Sequence, residues 1–190
     1  KFFAKLIFKK ITIAYPQNEE TNIFLKKIIS KKVKFIGNLK FVDTHEIKQT
    51  NKIKKFNNMF QNKKIWVASS THEPEEKFCA QAHLELKNKV KNLITVIIPR
   101  HIHRVPQIIE EIKDLKLGYV LHSDQVKNLK NIDIYIVDTF GETNQFHMIA
   151  SSVFLGGSII KRGGQNPLEA ARHGARVLHG PNIDNFKDVY

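Results

Sequence analysis

Short apolar runs alternate with amphipathic segments along the chain after Lys64. Uninterrupted apolar residues predict strands at 65–68, 93–98, 118–121, 134–137, 153–155 and 176–178. Apolar residues spaced three and four apart predict helices at 74–88, 105–115, 143–150 and 166–173. Fully apolar strands that alternate with helices are typical of a parallel sheet covered on both faces. The pattern therefore predicts an α/β fold with helices on both faces of a parallel sheet.

The first third of the chain has a weaker pattern. A short apolar run at 12–15 and an alternating segment at 33–41 predict strands, and apolar residues at helical spacing predict a helix over 19–29. The stretch 43–64 is polar and rich in Asn and Gln. This composition favours a linker, or a loosely packed helical connection, between two domains.

Basic residues concentrate in the same third. Residues 1–64 hold sixteen Lys and four acidic residues, whereas residues 65–190 are close to neutral with fifteen basic and fourteen acidic residues. Such a segment suggests a phosphate-rich partner, either anionic membrane or nucleic acid, or else a solvated, lysine-biased surface. Lys far outnumbers Arg, which is the better residue for bidentate contact with guanine. Sequence-specific nucleic-acid recognition is therefore not expected.

Cysteine content and the lengths of apolar runs also indicate in which cellular compartment the chain is expected. Cys79 is the single cysteine, so no intrachain disulfide forms, which fits a reducing compartment. The chain shows no run of about 18 apolar residues and no signal peptide. We therefore expect a cytosolic location, with Cys79 in the core of a helical layer.

Two loops that follow predicted strands have the character of anion sites. Arg100, after the strand at 93–98, suits a phosphate, although a surface Arg-His pair is the alternative. Gly141, after the strand at 134–137, allows close backbone approach ahead of a helix start that favours anions. The alternative there is a plain N-cap by Asp138 or Thr139. In parallel sheets, ligands bind at the carboxyl ends of the strands.

The strongest signal is the stretch from Gly156 to Glu169. Two Gly-Gly pairs flank Lys-Arg, and Asn-Pro then opens a helix, with Pro167 predicted at the first helical position. A glycine-rich loop that enters a helix N-terminus is a general phosphate cradle, and Glu169 can accept hydrogen bonds from ribose hydroxyls. The alternative is a loop that only turns the chain. The stretch matches neither a Walker loop nor the dinucleotide fingerprint.

Two weaker signals remain. Residues 69–73 offer hydroxyls and amides to an anion, but a helix cap by Ser69, Ser70 or Thr71 is the simpler interpretation. His72, His101 and His103 lack an accompanying Cys cluster or helical H-x-x-x-H, so no metal is expected.

In this order, the loops resemble the Kdo (3-deoxy-D-manno-octulosonic acid) transferases of lipopolysaccharide assembly. The resemblance covers nearly the whole chain and is carried by GNLKF at 37–41, WVASSTHEPEE at 66–76, IPRH at 98–101, DTFGE at 138–142, FLGGSIIKRGGQNPLEAARHG at 154–174 and GPNIDNFKD at 180–188. It implies a GT-B glycosyltransferase fold with Rossmann-like domains, the N-terminal domain being mostly missing. Residues 1–42 would be the tail of that acceptor domain, 43–64 a linker, and 65–190 the C-terminal CMP-Kdo-binding domain, truncated at its end.

Carried over motif by motif, the resemblance implies nine residues that contact CMP: Pro99, Arg100, Phe140, Gly141, Glu142, Asn166, Pro167, Leu168 and Glu169. Arg100 and the helix start at Asn166 would offset the phosphate charge, and Glu169 would hold the ribose. The family more often has Met at position 140 and His at position 165. Neither difference removes a charged contact.

The activity implied is an inverting transfer without metal or other cofactor, from CMP-Kdo to the lipid A precursor lipid IV(A). The family's general-base Glu and membrane anchor are expected upstream of residue 1, so no catalytic residue is assigned here and the isolated chain is not expected to catalyse transfer. The implied partners are CMP-Kdo, the lipid A precursor and the anionic surface of the inner membrane at its cytoplasmic face, without nucleic acid.

Two alternatives stay open. One alternative to the Kdo transferase is a GT-B enzyme for another nucleotide sugar, such as a UDP-sugar; the other is an inactive basic fragment that adsorbs on anionic membrane through residues 1–64.

Overall fold

A computed structural model describes residues 2–8, 10–37, 56–126 and 128–190. The chain divides into two compact units, Lys1–Lys48 and Gln49–Tyr190. Phe56 and Phe60, which fall in the segment predicted to be a linker, are buried in the core of the second unit. The predicted division into acceptor-domain tail, linker and donor domain stays a prediction.

The described part of the first unit contains two α-helices. Helix α1 spans Phe2–Phe8 and α2 spans Glu19–Ile29, the second as predicted. In α2, acidic residues lie in the first turn and lysines in the last, an arrangement that complements the helix dipole. The strands predicted at 12–15 and 33–41 are reduced, in the described residues, to one bridge between Ala14 and Val33, and residues 38–41 lie outside the described ranges.

A six-stranded sheet forms the second unit. Its strands are β1 Lys64–Thr71, β2 Leu93–Pro99, β3 Tyr119–Leu121, β4 Ile134–Ile136, β5 Ser152–Leu155 and β6 Arg176–His179. Its helices are α3 Glu75–Lys87, α4 Val105–Asp114, α5 Thr143–Ile149 and α6 Leu168–Arg172. The strand order is β3-β4-β2-β1-β5-β6, and every neighbouring pair is parallel. The predicted α/β fold is confirmed. Each strand and helix of this unit begins and ends within three residues of its predicted position.

Alternate residues of the strands build a hydrophobic cluster on each face of the sheet. Val96 of β2 lies in one cluster with Phe146 of α5, whereas Ile97 lies in the other with Ile108 of α4. Cys79 belongs to the second cluster, as predicted. Full burial of one such aliphatic side chain contributes roughly 2 kcal/mol to the free energy of folding. These two layers hold the strands, and therefore the loops at their ends, in fixed positions.

Parallel strands give the sheet two chemically different edges. We call the carboxyl edge the loops that follow the strands, at 72–74, 100–104, 122–126, 137–142, 156–167 and 180–190, and the amino edge the turns that precede the strands. Because β1 lies between β2 and β5, their loops are neighbours at the carboxyl edge, about 5 Å apart per strand. The register of β1 shifts between Ser69 and Thr71, leaving Ser70 in the left-handed region at φ 55°. Such irregularities re-aim the residues that follow a strand.

None of the helices in the described ranges has the length and apolar character that a membrane span needs.

Candidate binding site at the carboxyl edge

The predicted contact residues lie on the loops of the carboxyl edge or directly beside them, at the end of a strand or the start of a helix. Pro99 ends β2, residues 140–142 follow β4, and residues 166–169 follow β5. Arg100, Phe140 and Glu169 are exposed, whereas Pro99 is buried. The strands that carry Arg100 and Glu169 are separated only by β1, a lateral distance of about 10 Å. One edge thus presents an arginine, an aromatic ring and a carboxylate to solvent.

The start of α6 differs from its prediction by one position. Pro167 is the N-cap residue, not the first helical residue, and the helix begins at Leu168. The Asn166 Oδ1 atom accepts a hydrogen bond from the Leu168 N–H group at 3.1 Å. This bond satisfies one of the amides that a helix start leaves without a partner. Glu169 lies in the first turn, as predicted.

The first Gly-Gly pair does not form an open phosphate cradle, contrary to the prediction. The N–H groups of Gly157, Ser158 and Ile159 donate to the carboxylate of Glu75 at 2.7, 3.1 and 3.0 Å. Glu75 is 0% exposed. An acidic residue in the first turn of a predicted helix carries no sign of this role, since its partners lie more than 80 residues away in the sequence.

Residues 180–190 form hydrogen bonds with the remainder of the glycine-rich loop. Ser158 Oγ accepts a hydrogen bond from the Gly180 N–H group at 2.9 Å, and Asn185 Nδ2 donates to the Arg162 carbonyl at 3.0 Å. The Tyr190 hydroxyl donates to the Gln165 carbonyl at 3.2 Å. Most of the glycine-rich loop is therefore bound from within the protein, and its exposed side chains are those of Ile159, Lys161 and Arg162.

Glu142 is bound to the loop after β3. Its carboxylate lies against the Nε2 atom of His122 and accepts a hydrogen bond from Thr139 Oγ1 at 2.8 Å. The other ring nitrogen of His122 lies 2.8 Å from the Tyr135 hydroxyl, and burial, reinforced by the Glu142 charge, raises the pKa of Tyr135. Sequence reasoning missed His122. The signal available was its position directly after a predicted strand.

The N-cap of α5 is Glu142 itself, so the alternative of a cap by Asp138 or Thr139 is wrong. Asp138 instead accepts hydrogen bonds from the N–H group and hydroxyl of Ser123. The loop after β4 is therefore tied to the loop after β3 at two points, which leaves Phe140 and Gly141 at the tip.

The hydroxyl residues at the end of β1 do not cap a helix, contrary to prediction. Ser69 and Thr71 belong to β1, and Pro74 is the N-cap of α3. Ser69 Oγ lies 3.1 Å from Nε2 of His147, a buried residue of α5. Burial, with a smaller effect from the charge of His173, lowers the pKa of His147 to about 4. This pair fills the space beneath the carboxyl edge.

Three histidines lie side by side at this edge. The ring centroids of His72 and His101 are 5.5 Å apart, as are those of His101 and His103. Burial lowers the pKa of His72; Glu75 opposes this shift, whereas His101 and Arg162 add to it. Within the described ranges, no group of three or more His, Cys, Asp or Glu side chains has an arrangement that could hold a metal ion.

Two bacterial proteins are similar to this chain over its full length. It is 32% identical over 190 residues to a 3-deoxy-D-manno-octulosonic acid transferase of Rickettsia felis, and 31% identical over 196 residues to a bifunctional glycosyltransferase/methyltransferase of Fusobacterium nucleatum. Each alignment covers 100% of this chain, but 40% and 30% of the respective relative. The chain thus spans less than half the length of these curated relatives. No protein-family model matches it.

The fold is similar to that of a solved structure, the C-terminal CMP-Kdo binding domain of WaaA from Acinetobacter baumannii. The TM-score is 0.66 at 26% sequence identity, and the match covers 72% of this chain and 74% of that domain. The similarity confirms both the GT-B-type fold and the resemblance drawn from the loop motifs. The chain is therefore a relative of the 3-deoxy-D-manno-octulosonic acid transferases and has a GT-B-type glycosyltransferase fold.

Proposed function

We propose that this chain provides the donor-nucleotide site of a glycosyltransferase of lipopolysaccharide biosynthesis, which transfers Kdo from CMP-Kdo to a lipid A precursor. The observation that carries the proposal is the similarity to a domain described as CMP-Kdo binding, joined to the position of the nine predicted contacts on one edge of the sheet. Because ligands of open parallel sheets bind at this edge, the location suits a nucleotide.

Three exposed side chains each contact a different part of the nucleotide: the phosphate, the ribose or the base. The guanidinium of Arg100 offsets the phosphate charge, because charge-assisted hydrogen bonds to phosphate are among the strongest in proteins. The carboxylate of Glu169 accepts hydrogen bonds from the ribose hydroxyls. Phe140 is 76% exposed and offers an aromatic face to the cytosine. Beside it, Gly141 has no atom within 4 Å of the position a Cβ would take, so the base can approach the backbone.

These contacts also account for chemistry at the donor. In the transfer, an acceptor hydroxyl gives its proton to a general base and attacks the anomeric carbon of Kdo, the bond from that carbon to the phosphate oxygen breaks, and CMP leaves with the electron pair. Negative charge therefore grows on the phosphate in the transition state. A cation held at the phosphate lowers the barrier by stabilising that charge. Arg100 is the residue we assign to this role.

Calorimetric titration of the chain with CMP, CDP and UDP tests the proposal. We expect CMP to bind, Arg100→Ala to weaken its binding at least about tenfold, and Glu169→Gln to weaken it less. Two exposed residues of the second unit serve as matched controls: Arg176→Ala, at the amino edge, and Glu85→Gln, on α3. Preference for UDP would favour another nucleotide sugar. Absence of binding by all three nucleotides would reject the proposal.

The first unit favours a second role, contact with anionic membrane at the cytoplasmic face of the inner membrane. Three side chains of α1 lie on one face of the helix and are more than half exposed: Phe3, Leu6 and Ile7. Exposed lysines accompany them at positions 26, 27, 31 and 34. An apolar helix face with basic surroundings is typical of segments that bind the interface of anionic bilayers.

Sedimentation with vesicles of neutral or anionic lipid tests this role. We expect binding to the anionic vesicles that weakens with salt and is lost when Phe3 and Ile7 are both replaced by Ser. Leu178→Ser, an exposed apolar residue of the second unit, is the control. Equal binding by both variants would exclude α1 as the contact.

A further inference from the structure

The carboxylate of Glu75, the first residue of α3, is enclosed by backbone amides. Its Oε2 atom accepts hydrogen bonds from the N–H groups of His72 and Gly157 at 3.0 and 2.7 Å. Its Oε1 atom accepts from those of Ser158 and Ile159 at 3.1 and 3.0 Å. A carboxylate offers about four acceptor positions. Backbone groups therefore saturate this one completely.

Three of the four donors are consecutive residues of the loop after β5. Successive N–H groups around a residue in the left-handed region form a concave site for an anion, and Gly157 supplies that conformation at φ 67°. Sites of this kind commonly hold the phosphate of a ligand. Here Glu75 occupies the site, so an external phosphate has to bind elsewhere on the edge.

The same carboxylate joins two loops that border the proposed donor site. Gly157 lies between two side chains, since a Cβ at this position would be 3.4 Å from the His72 ring and 3.2 Å from Cβ of Arg162. The loop after β2 is bound to the end of β1, next to His72, because the Arg100 N–H group donates to the Thr71 carbonyl at 3.0 Å. A displacement of Glu75 would therefore move the surroundings of both arginines together.

We propose that Glu75 is a positioning residue of the donor site. Its carboxylate acts as an internal anion that fills the amide site of the β5 loop and holds the β1 and β5 loops in the arrangement that binds the nucleotide. The inference rests on the proposed CMP-binding function. Glu75 itself contacts no nucleotide in this arrangement, and it acts through the loops.

The experiment compares two buried carboxylates that are neighbours on α3. Glu75→Ala removes the internal anion, whereas Glu76→Ala removes a carboxylate that is 1% exposed and pairs with Arg104 at 2.9 Å. CMP affinity is measured calorimetrically for both variants, with and without excess formate. Amide ¹H–¹⁵N spectra follow Gly157, Ser158 and Ile159 in the same samples. Formate is the smallest carboxylate, and it can occupy the space that the truncated side chain leaves.

We expect Glu75→Ala to bind CMP at least about tenfold more weakly. Formate should restore its affinity and shift the three amide signals. Glu76→Ala should lose thermal stability, keep its CMP affinity and show no response to formate. Recovery by an added carboxylate separates a positioning role from a general loss of stability, which formate does not repair.

Wild-type CMP affinity in Glu75→Ala would overturn the proposal, as would a loss that Glu76→Ala shares and formate does not reverse. If the wild-type chain fails to bind CMP, the donor-site proposal fails, and the amide response of Glu75→Ala to formate still decides whether Glu75 fills an anion site. If Glu75→Ala does not fold, Glu75→Gln and Glu76→Gln give the same comparison. Weaker CMP binding by the Glu75 variant then supports the proposal, and equal binding overturns it.

Discussion

The two edges of the sheet each contain a carboxylate that accepts several hydrogen bonds, but they stabilise it in different ways. At the amino edge, Asp133 accepts hydrogen bonds from the Gly118 N–H group at 2.9 Å, Lys87 Nζ at 3.0 Å and His83 Nε2 at 3.2 Å. At the carboxyl edge, Glu75 is held by four backbone N–H groups. Charged side chains thus help to hold Asp133, whereas the shape of the loops themselves holds Glu75.

The residues in the left-handed region show the same contrast. The turns before β1, β2 and β4 place Asn62, Asn92 and Asn131 there, a residue type that tolerates this conformation and simply reverses the chain. In the loops after β4 and β5, glycines take the left-handed positions, among them Gly141 and Gly157. Glycine permits a close approach that Asn does not. In these three turns of the amino edge Asn therefore reverses the chain, whereas in the loops after β4 and β5 glycine supplies the left-handed conformation.

Alanine substitutions at one glycine of each edge should give the largest effects. A Cβ at Gly156 would lie less than 3.0 Å from backbone atoms of Ser70 and Thr71, and a Cβ at Gly118 less than 3.0 Å from the Asn131 carbonyl. Backbone cannot yield as a side chain does, so each variant should lose about 3 kcal/mol of the free energy of unfolding, the upper part of the range for an overpacked site. Urea denaturation measures the loss.

CMP binding should then separate the two edges. Gly156→Ala moves the loops after β1 and β5, so we expect its affinity for CMP to fall even at temperatures where it is folded. Gly118→Ala should keep wild-type affinity under the same conditions. If the folded Gly118 variant lost CMP binding as well, the distinction between a structural and a functional edge would be wrong.

A smaller effect concerns acid stability at His147, beneath the carboxyl edge. Its folded pKa of about 4 is below the unfolded value of about 6.5, so the unfolded state binds the additional proton between these values. Stability is therefore lost as the pH falls through this range. The contribution of His147 between pH 7 and pH 5 amounts to about 2 kcal/mol. In the His147→Gln variant, the free energy of unfolding should therefore change less steeply with pH than in the wild type.

His83 is the matched histidine at the amino edge. Burial lowers its pKa too, but the hydrogen bond and charge of Asp133 oppose that shift. We therefore expect His83→Gln to reduce the pH dependence of stability less than His147→Gln does. A larger reduction in the His83 variant would show that Asp133 does not compensate the buried ring. Denaturation of both variants at pH 7, 6 and 5 provides the comparison.

The sequence alone predicted the sheet well, because its signals are local. Apolar runs such as 93–98 and 134–137 mark buried strands wherever they occur, and the loop residues that follow them are then placed at one edge by parallel topology. The resemblance in the motif loops predicted the donor site at the same edge, and that location stays a prediction. The positions of Arg100 and Glu169 on that edge needed no knowledge of side-chain packing.

What sequence reasoning missed depends on contacts between distant residues. Glu75 has the local character of an acidic residue at a helix start, and only folding brings it to the amides of the β5 loop. The pairing of His122 with Glu142 likewise requires β3 and β4 to be neighbours. Helix α1 was missed as well, since seven residues are too few for a clear periodicity.

The smallest expected effect is that of Asp133→Asn, which tests whether the amino edge is purely structural. The substitution removes the charge that Lys87 and His83 share, and since Asp133 is 22% exposed, we expect a loss of about 1 kcal/mol at neutral pH. Hydrogen bonds from Gly118, Lys87 and His83 outweigh burial and hold the pKa of Asp133 below its usual value. Its contribution is therefore present above the unfolded pKa and is lost as the pH falls through the folded pKa, so the variant and the wild type should converge in acid. CMP affinity should not change. A change in affinity without a change in stability would mean that the amino edge communicates with the donor site, and the contrast between the two edges would have to be abandoned.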